Sequence, residues 1–280
     1  MKIIQSIRQK TDFFNSFWGY SILLFLIALV TYGYQLFSMG FYWDDWQAVF
    51  LSTFSDPGVL WDYFAYDRPF SAWTYAISFP FLPMLPLVWQ LFTLLLRWLT
   101  SICFYAFFSR IWPEFKHQFG WVCALLLVFP GFTLQPVSVA FNQHFLTFFL
   151  FSLSLLLMVL AVQKRKIWLI APAVILDLIQ MFTMEYFAGL EVVRPFILFF
   201  LLNKSNEKSS QIVKKVFINW LPYLLGFGIY ILFRFVYYPA HAVNAENLPN
   251  IPFLLADGFN LQNFMELMNS PALFPGKIGR

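Results

Sequence analysis

Charged residues are scarce in this sequence. Lysine, arginine, aspartate and glutamate together make up 11% of the 280 residues, whereas hydrophobic residues make up 60%. A soluble domain with so few charges would lack the polar surface needed to cover its core. The net charge of +4 is small and dispersed, so it excludes the footprint of a nucleic-acid-binding protein. The composition therefore predicts an integral membrane protein.

Two other features are rare or missing, namely cysteine and a signal-peptide cleavage site. Cys103 and Cys123 lie in apolar runs without CxxC spacing, which is more typical of packed thiols than of a disulfide or a metal site. The first apolar run follows basic residues, but it is about as long as a bilayer crossing and lacks a clear A-x-A-like site. We therefore expect an uncleaved first span.

The long apolar runs predict an all-α polytopic membrane protein with about seven transmembrane helices and interfacial helices in the first outer loop. The first outer loop covers residues 40–84. Together with the spans it forms one membrane module, residues 1–238, which is followed by a tail on the outer side, residues 239–280. The predicted spans are Tyr20–Met39, Leu85–Phe108, Phe119–Leu134, Phe141–Val162, Ile167–Met184, Phe187–Leu202 and Val216–Tyr238.

The distribution of lysine and arginine predicts the orientation. Most of the 18 basic residues fall in the amino-terminal segment and in alternate loops, as the positive-inside rule requires of cytoplasmic segments. We expect a multi-pass protein of the plasma (inner) membrane with a cytoplasmic amino terminus. The segments on the expected inner side hold Lys2, Arg8, Lys10, Arg110, Lys116, Lys164, Arg165, Lys166, Lys204, Lys208, Lys214 and Lys215.

The first outer loop opens with two adjacent aspartates, Asp44 and Asp45, among aromatic residues. A break at 56–58 and a later apolar stretch indicate two surface helices before the second span. A carboxylate beside a bound substrate can take a proton from an attacking hydroxyl, so the pair is a candidate catalytic site. The alternative is a solvated acidic pair at a helix amino terminus.

Five further polar residues are expected at the same membrane face. Arg68 lies in the loop, Arg194 and Arg234 lie near the outer ends of their spans, and His144 and Glu185 lie at outer span ends. The planar guanidinium group matches phosphate oxygens well. The residues therefore predict a substrate-binding set for a lipid phosphate or its sugar.

Each of these residues also has a structural interpretation. Arg68 could pair with Asp67, Glu191 could neutralise Arg194, and Arg234 could extend to the interface. The histidine could be a satisfied helix residue, and the glutamate could be an ordinary polar residue at a short corner.

The order of these features resembles the GT-C superfamily of polyprenyl-phosphate-dependent glycosyltransferases, which includes protein O-mannosyltransferases and the lipid A aminoarabinose transferase. The resemblance implies that Asp44 is the general base and Asp45 the adjacent acid. It also implies an inverting transfer from a polyprenyl-phosphate-linked sugar donor to the hydroxyl of a glycan, lipid or protein acceptor at the outer face. The resemblance rests on Asp44-Asp45, Asp67-Arg68-Pro69-Phe70, Met184-Glu185-Tyr186-Phe187 and Val193-Arg194-Pro195.

The topological match covers most of the chain, and the seven predicted spans resemble the shared amino-terminal module of one GT-C class. Family members usually continue beyond seven spans, whereas this sequence ends at Arg280, which indicates a truncated product or a fragment as the alternative to a complete enzyme. The sequence identifies no cofactor with certainty. A divalent metal ion is optional at the aspartate pair, because the sequence offers no dedicated ligand set.

Two other functions fit parts of the sequence. A lipid or solute transporter or flippase would place charges near the membrane midplane, and Asp177 and Arg97 lie deep in their predicted spans. However, the two halves of the chain show no repeat. A non-catalytic membrane assembly partner is the third possibility, and it would be indifferent to substitution of Asp44.

Overall fold

The computed structural model of the chain describes residues 16–33, 36–42, 44–54, 57–65, 67–128, 139–203 and 208–238. Within these ranges every regular element is helical, which confirms the predicted all-α class. The basic amino-terminal segment and the predicted tail, 239–280, lie outside the described residues.

The helices are numbered here in chain order. Two of them, α1 and α10, continue into wider π-helical turns at Leu29–Gly33 and Phe233–Tyr237. Short 3₁₀ segments occupy Pro113–Phe115, Ile167–Leu169 and Glu185–Val192. The α-helices are α1 Phe17–Ala28, α2 Asp45–Phe54, α3 Pro57–Ala65, α4 Ala72–Ser78, α5 Pro86–Ile111, α6 Lys116–Val128, α7 Asn142–Lys164, α8 Ile170–Thr183, α9 Val193–Leu202 and α10 Ser209–Leu232.

Three helices in the described part of the chain are long and apolar enough to cross a membrane: α5, α7 and α10 with its continuation to Tyr237. Shorter apolar helices span Phe17–Gly33 and Ile167–Thr183. Helices overlap all seven predicted spans, but among the residues that the structure describes only these three have the length and hydropathy of a full crossing. The structure thus indicates membrane association, and the seven-span topology stays a prediction.

The bundle is centred on α7, which packs against α5 on one side and α8 on the other, while α10 packs on α8 and α9. Phe151, Leu155 and Met158 of α7 recur at helical spacing and are buried in the main core. The outer faces remain apolar, as on α10, where Leu225 and Leu232 are 59% and 62% exposed. Exposed apolar surface of this kind suits contact with lipid chains.

Two kinds of buried group lie inside the helix bundle, the cysteine thiols and the guanidinium of Arg97. Cys103 and Cys123 are free and buried, which confirms the packed-thiol interpretation. Arg97 of α5 donates to the hydroxyl of Tyr32 at 2.8 Å and to the carbonyl of Leu127 at 2.7 Å, and its guanidinium lies over the rings of Tyr32 and Phe145. The arginine therefore joins α5 to the ends of α1 and α6.

In the described part of the 40–84 loop there are three helices rather than the two predicted. α2 ends at Phe54 and α3 begins at Pro57, so a helix boundary does lie at the Asp-Pro-Gly sequence predicted as a break, and α3 is the helix that was not predicted. Proline is well tolerated there, because the first helical turn leaves its N–H groups without helix partners in any case. The three helices share a small core with the start of α5, in which Val49, Leu60 and Trp89 are buried.

Candidate functional site

A cavity of about 380 Å³ lies between the 40–84 loop and the first turn of α7. Three of the predicted site residues, Asp44, Arg68 and His144, line it. Asp67, Tyr63 and Gln143 add further polar groups. The remaining lining residues are Gln47, Ala48, Leu51, Phe64, Tyr75, Ala140, Phe141 and Met184.

The two adjacent aspartates have different environments. Asp45 is fully buried at the start of α2, where its carboxylate accepts hydrogen bonds from the backbone N–H of Ala140 at 2.9 Å and of Tyr42 at 3.4 Å. Asp44 is partly exposed and lines the cavity. Within the described part of the chain no hydrogen bond or ion pair occupies its carboxylate.

This division changes the expectation for the pair. The structural alternative placed both carboxylates in solvent at a helix amino terminus. Asp45 is instead buried, and its hydrogen bond from Ala140 connects α2 to the segment that precedes α7. Its position suits it to hold the loop in place. Asp44 is the member of the pair whose carboxylate can reach a molecule in the cavity.

Arg68 lies at the junction of α3 and α4 and binds two carboxylates. Its Nε and Nη2 donate to Glu185 at 3.2 and 3.0 Å, and Nη1 lies 3.1 Å from Asp67. Arg234 completes the group, because it donates to the Asp67 carbonyl at 2.9 Å and lies 3.8 Å from its carboxylate. We call these four residues the loop network. They connect the 40–84 loop to the corner after α8 and to the end of α10.

The loop network contains two arginines and two carboxylates, so its formal charge is zero. Burial disfavours the charge of Arg68, but the hydrogen bond and charge of Glu185 and the charge of Asp67 outweigh it, so the pKa of Arg68 is raised. Burial likewise disfavours the Glu185 carboxylate, and Arg68 outweighs it, so the pKa of Glu185 is lowered. Both groups are therefore charged at neutral pH.

A row of planar groups leads from this network to His144. The Arg68 guanidinium lies 5.5 Å from the ring centroid of Tyr186, and the Tyr186 ring lies 4.9 Å from that of His144. His144 in turn stacks on Phe141 at 4.6 Å. The histidine is 8% exposed, so this stacking fixes its ring at the cavity wall.

The structure adds polar residues that the sequence interpretation did not select. The hydroxyl of Tyr63 donates to the side-chain carbonyl of Gln47, and burial together with the charge of Asp44 raises the pKa of Tyr63. Gln143 donates to the Ser71 carbonyl at 2.9 Å and to the Thr74 hydroxyl. In a chain with 13 tyrosines no local signal distinguishes Tyr63, whereas Gln143 adjoins His144.

Not all predicted residues come together. Glu185 and Arg234 adjoin the cavity through Arg68 and Asp67, but Arg194 does not join them. Arg194 is fully buried, with Nη2 2.6 Å from Asp177 and with two hydrogen bonds to Glu191. Three arginines were predicted to lie together at the outer face, but only two of them do. Arg194 instead pairs inside the bundle with Asp177 and with Glu191, which lies three residues before it on the same inward-facing side.

The described residues contain no group of three or more histidine, cysteine, aspartate and glutamate side chains that could hold a metal ion. The optional metal ion at Asp44 and Asp45 stays a prediction, and the separation of their environments leaves only Asp44 facing the cavity.

Comparisons of the chain with models of protein families, with curated proteins and with solved structures give no match. The function is therefore inferred from the geometry of the cavity and from the residues that line it.

Proposed function

We propose that the protein is a membrane glycosyltransferase of GT-C type, which transfers a sugar from a polyprenyl-phosphate donor to an acceptor hydroxyl with inversion. In this proposal the chain crosses the plasma (inner) membrane seven times, with its amino terminus in the cytoplasm and the cavity at the outer face. The acceptor is a glycan, a lipid or a protein.

One observation carries the proposal: a carboxylate with no ion-pair partner among the described residues and an arginine line the same cavity. Asp44 supplies the carboxylate and Arg68 the cation. Transfer from a lipid phosphate requires these two groups, a base for the acceptor hydroxyl and a cation for the departing phosphate. Their common cavity is large enough for a hexose-sized group.

The proposed reaction is a single displacement. The acceptor oxygen forms a bond to the anomeric carbon of the sugar, its proton passes to the Asp44 carboxylate, and the bond from that carbon to the lipid phosphate breaks. Arg68, with Arg234 nearby, stabilises the charge on the leaving phosphate. Positioning the acceptor against the anomeric carbon supplies much of the acceleration.

The loop network sets a condition for donor binding. Three nitrogens of Arg68 already face Glu185 and Asp67, so a phosphate must displace or share one of these carboxylates. Asp67 is the member that gives way more easily, because its side chain is 50% exposed and that of Glu185 is 35% exposed. Donor binding is therefore expected to break the Asp67 contact.

Donor binding can be tested by thermal unfolding of the purified protein in detergent while a polyprenyl phosphate is titrated. A ligand that binds only the folded state raises the unfolding midpoint in a saturable manner. We expect this rise in the wild type, a weaker rise in Arg68→Gln and Arg234→Gln, and an unchanged rise in Lys208→Gln, which removes an exposed positive charge elsewhere. No saturable rise in the wild type would contradict the donor site.

Catalysis is tested separately by transfer of labelled sugar from the lipid phosphate to membrane acceptors. Asp44→Asn should bind donor as the wild type does and lose at least about 100-fold in rate, since a positioned base contributes about 10²–10⁴-fold. The matched control is Asp62→Asn on the exposed face of α3. Equal rates in Asp44→Asn and the control would contradict the role of Asp44.

A transporter is the second candidate, and one observation favours it. The buried charges Asp177, Glu191 and Arg194 lie where α7, α8, α9 and α10 meet, and a transporter would bind solute or a coupling ion at such a place. Uptake into proteoliposomes distinguishes the two functions. A transporter should lose uptake when Asp177 is replaced and keep it in Asp44→Asn, whereas a glycosyltransferase should show the dependence on Asp44.

A further inference from the structure

A second charged group lies inside the helix bundle, away from the cavity. Arg194 of α9 donates from Nη2 to Asp177 of α8 at 2.6 Å, and from Nε and Nη2 to Glu191. Nη2 also lies 3.1 Å from the hydroxyl of Ser154 on α7, and the Tyr223 ring of α10 covers the guanidinium at 4.5 Å. We call Asp177, Glu191 and Arg194 the bundle triad.

The bundle triad has one more acid than base. The side chains of Arg194, Asp177 and Glu191 are 0%, 1% and 4% exposed, so water does not screen them. With both carboxylates ionised the formal charge is −1. Within the described ranges, no other cation faces the triad from the neighbouring helices, whose facing polar groups are Ser154 and Tyr223. A net buried charge in a membrane bundle is strongly unfavourable.

Neighbouring oxygen atoms show where a proton could be held. Oδ2 of Asp177, Oε1 of Gln180 and the hydroxyl of Tyr223 are buried and have no hydrogen-bond partner among the described residues. The Gln180 amide contacts Asp177, with Nε2 3.3 Å from Oδ1. Buried polar atoms are usually satisfied, so these three oxygens, on Asp177 and on two residues that contact the triad, require an explanation.

We propose that the bundle triad is a proton-binding site, in which Asp177 and Glu191 hold a single proton between them at neutral pH. One bound proton brings the formal charge to zero. It also converts one carboxylate into a donor, which can satisfy a buried oxygen, and Gln180 is suited to accept it because an amide can rotate to present either its oxygen or its nitrogen. The site does not depend on the proposed glycosyltransferase activity.

A proton shared by two carboxyls accounts for both unusual features of the triad. It removes the excess negative charge, and it supplies a hydrogen atom where the acceptors outnumber the donors. A merely structural ion pair would need only one acid for Arg194. The presence of two acids around one arginine is therefore what lets Asp177 and Glu191 share a proton.

The direct test is infrared spectroscopy of the purified wild type at neutral pH in H₂O and D₂O. A protonated carboxyl group has a carbonyl band distinct from that of a carboxylate, and this band shifts on deuteration. We expect the band in the wild type and in the Asp62→Asn control, and its loss or marked reduction in Asp177→Asn and in Glu191→Gln. Absence of the band in the wild type, or its full persistence in both variants, would overturn the proposal.

Unfolding at different pH values gives a second measurement. Each single variant replaces one acid by a neutral amide and keeps one carboxylate for Arg194, so its unfolding midpoint at neutral pH should stay close to that of the wild type. The double variant leaves the arginine without a carboxylate and should unfold at a much lower temperature. As pH rises above neutral, the wild type should lose stability with its proton, while the single variants should not. Wild type and single variants with the same alkaline dependence would overturn the proposal.

Discussion

The loop network and the bundle triad use the same chemistry in different surroundings. The loop network joins two arginines to two carboxylates at a partly exposed boundary, where Arg68 and Glu185 are 24% and 35% exposed. The bundle triad joins one arginine to two carboxylates with almost no exposure. The loop network has a formal charge of zero when all its groups are ionised, whereas the bundle triad must bind one proton to become neutral.

The difference indicates separate roles. The contacts of a partly exposed ion pair are weak, so a ligand can replace one of them at a small cost in free energy. Such a pair is therefore suited to a binding site. If one partner of a buried ion pair is removed, the other is left as a charge without solvation. Such a pair is therefore suited to a rigid connection between helices. Exposure, more than the kind of residue, decides whether an arginine is available to a substrate.

The largest expected effect is the removal of Arg194. Arg194→Met leaves two buried carboxylates without their cation and should lower the free energy of unfolding by about 3–5 kcal/mol. Urea or SDS unfolding in detergent measures the loss. Arg234→Met is the matched control, because its arginine is 27% exposed and pairs with the partly exposed Asp67. Similar losses of unfolding free energy in the two variants would contradict the distinction between a buried and an exposed arginine.

The aspartate pair should show the next largest difference. Asp45→Ala leaves the buried N–H of Ala140 without its acceptor and should cost about 1–3 kcal/mol. Asp44→Ala removes a cavity-facing carboxylate and should change stability by less than about 0.5 kcal/mol. Thermal or urea unfolding of both variants measures the difference. A larger loss for Asp44→Ala would contradict the assignment of Asp45 as the structural member.

Arg68→Gln should have a smaller effect on stability, at most about 1 kcal/mol, because the pair with Glu185 is partly solvated. Added salt should shrink this effect further, while leaving the effect of Arg194→Met nearly unchanged. Unfolding at low and high ionic strength checks both expectations. A salt-sensitive Arg194→Met effect would show that water reaches the triad.

The smallest effect concerns pH. The pKa of Glu185 is lowered in the folded protein, so its contribution to stability is complete above the ordinary glutamate value of about 4.3. This contribution disappears as pH falls below that value and through the folded pKa. The wild type should therefore lose more stability than Glu185→Gln between neutral and acidic pH. Parallel losses in unfolding experiments would indicate that the pair with Arg68 contributes nothing.

The helical class and the approximate position of the helices could be predicted from the sequence. Apolar runs at helical length are local features, and helices overlap each predicted span. The number of helices in the 40–84 loop could not be predicted in the same way. Proline at 57 can both end one helix and begin the next, and the burial of Leu60 in a core shared with Trp89 of α5 depends on residues distant in sequence.

The sequence by itself determined the residue types available for chemistry, an acidic pair after the first apolar run and arginines near the ends of later ones. Only the tertiary structure decided which of them share a cavity. Asp44 and Asp45 are neighbours in sequence, yet one lines the cavity and the other is buried. Arg194 has the same side chain as Arg68, yet it faces Asp177 inside the bundle. Exposure and charge balance depend on residues distant in sequence, and helix packing brings those residues together.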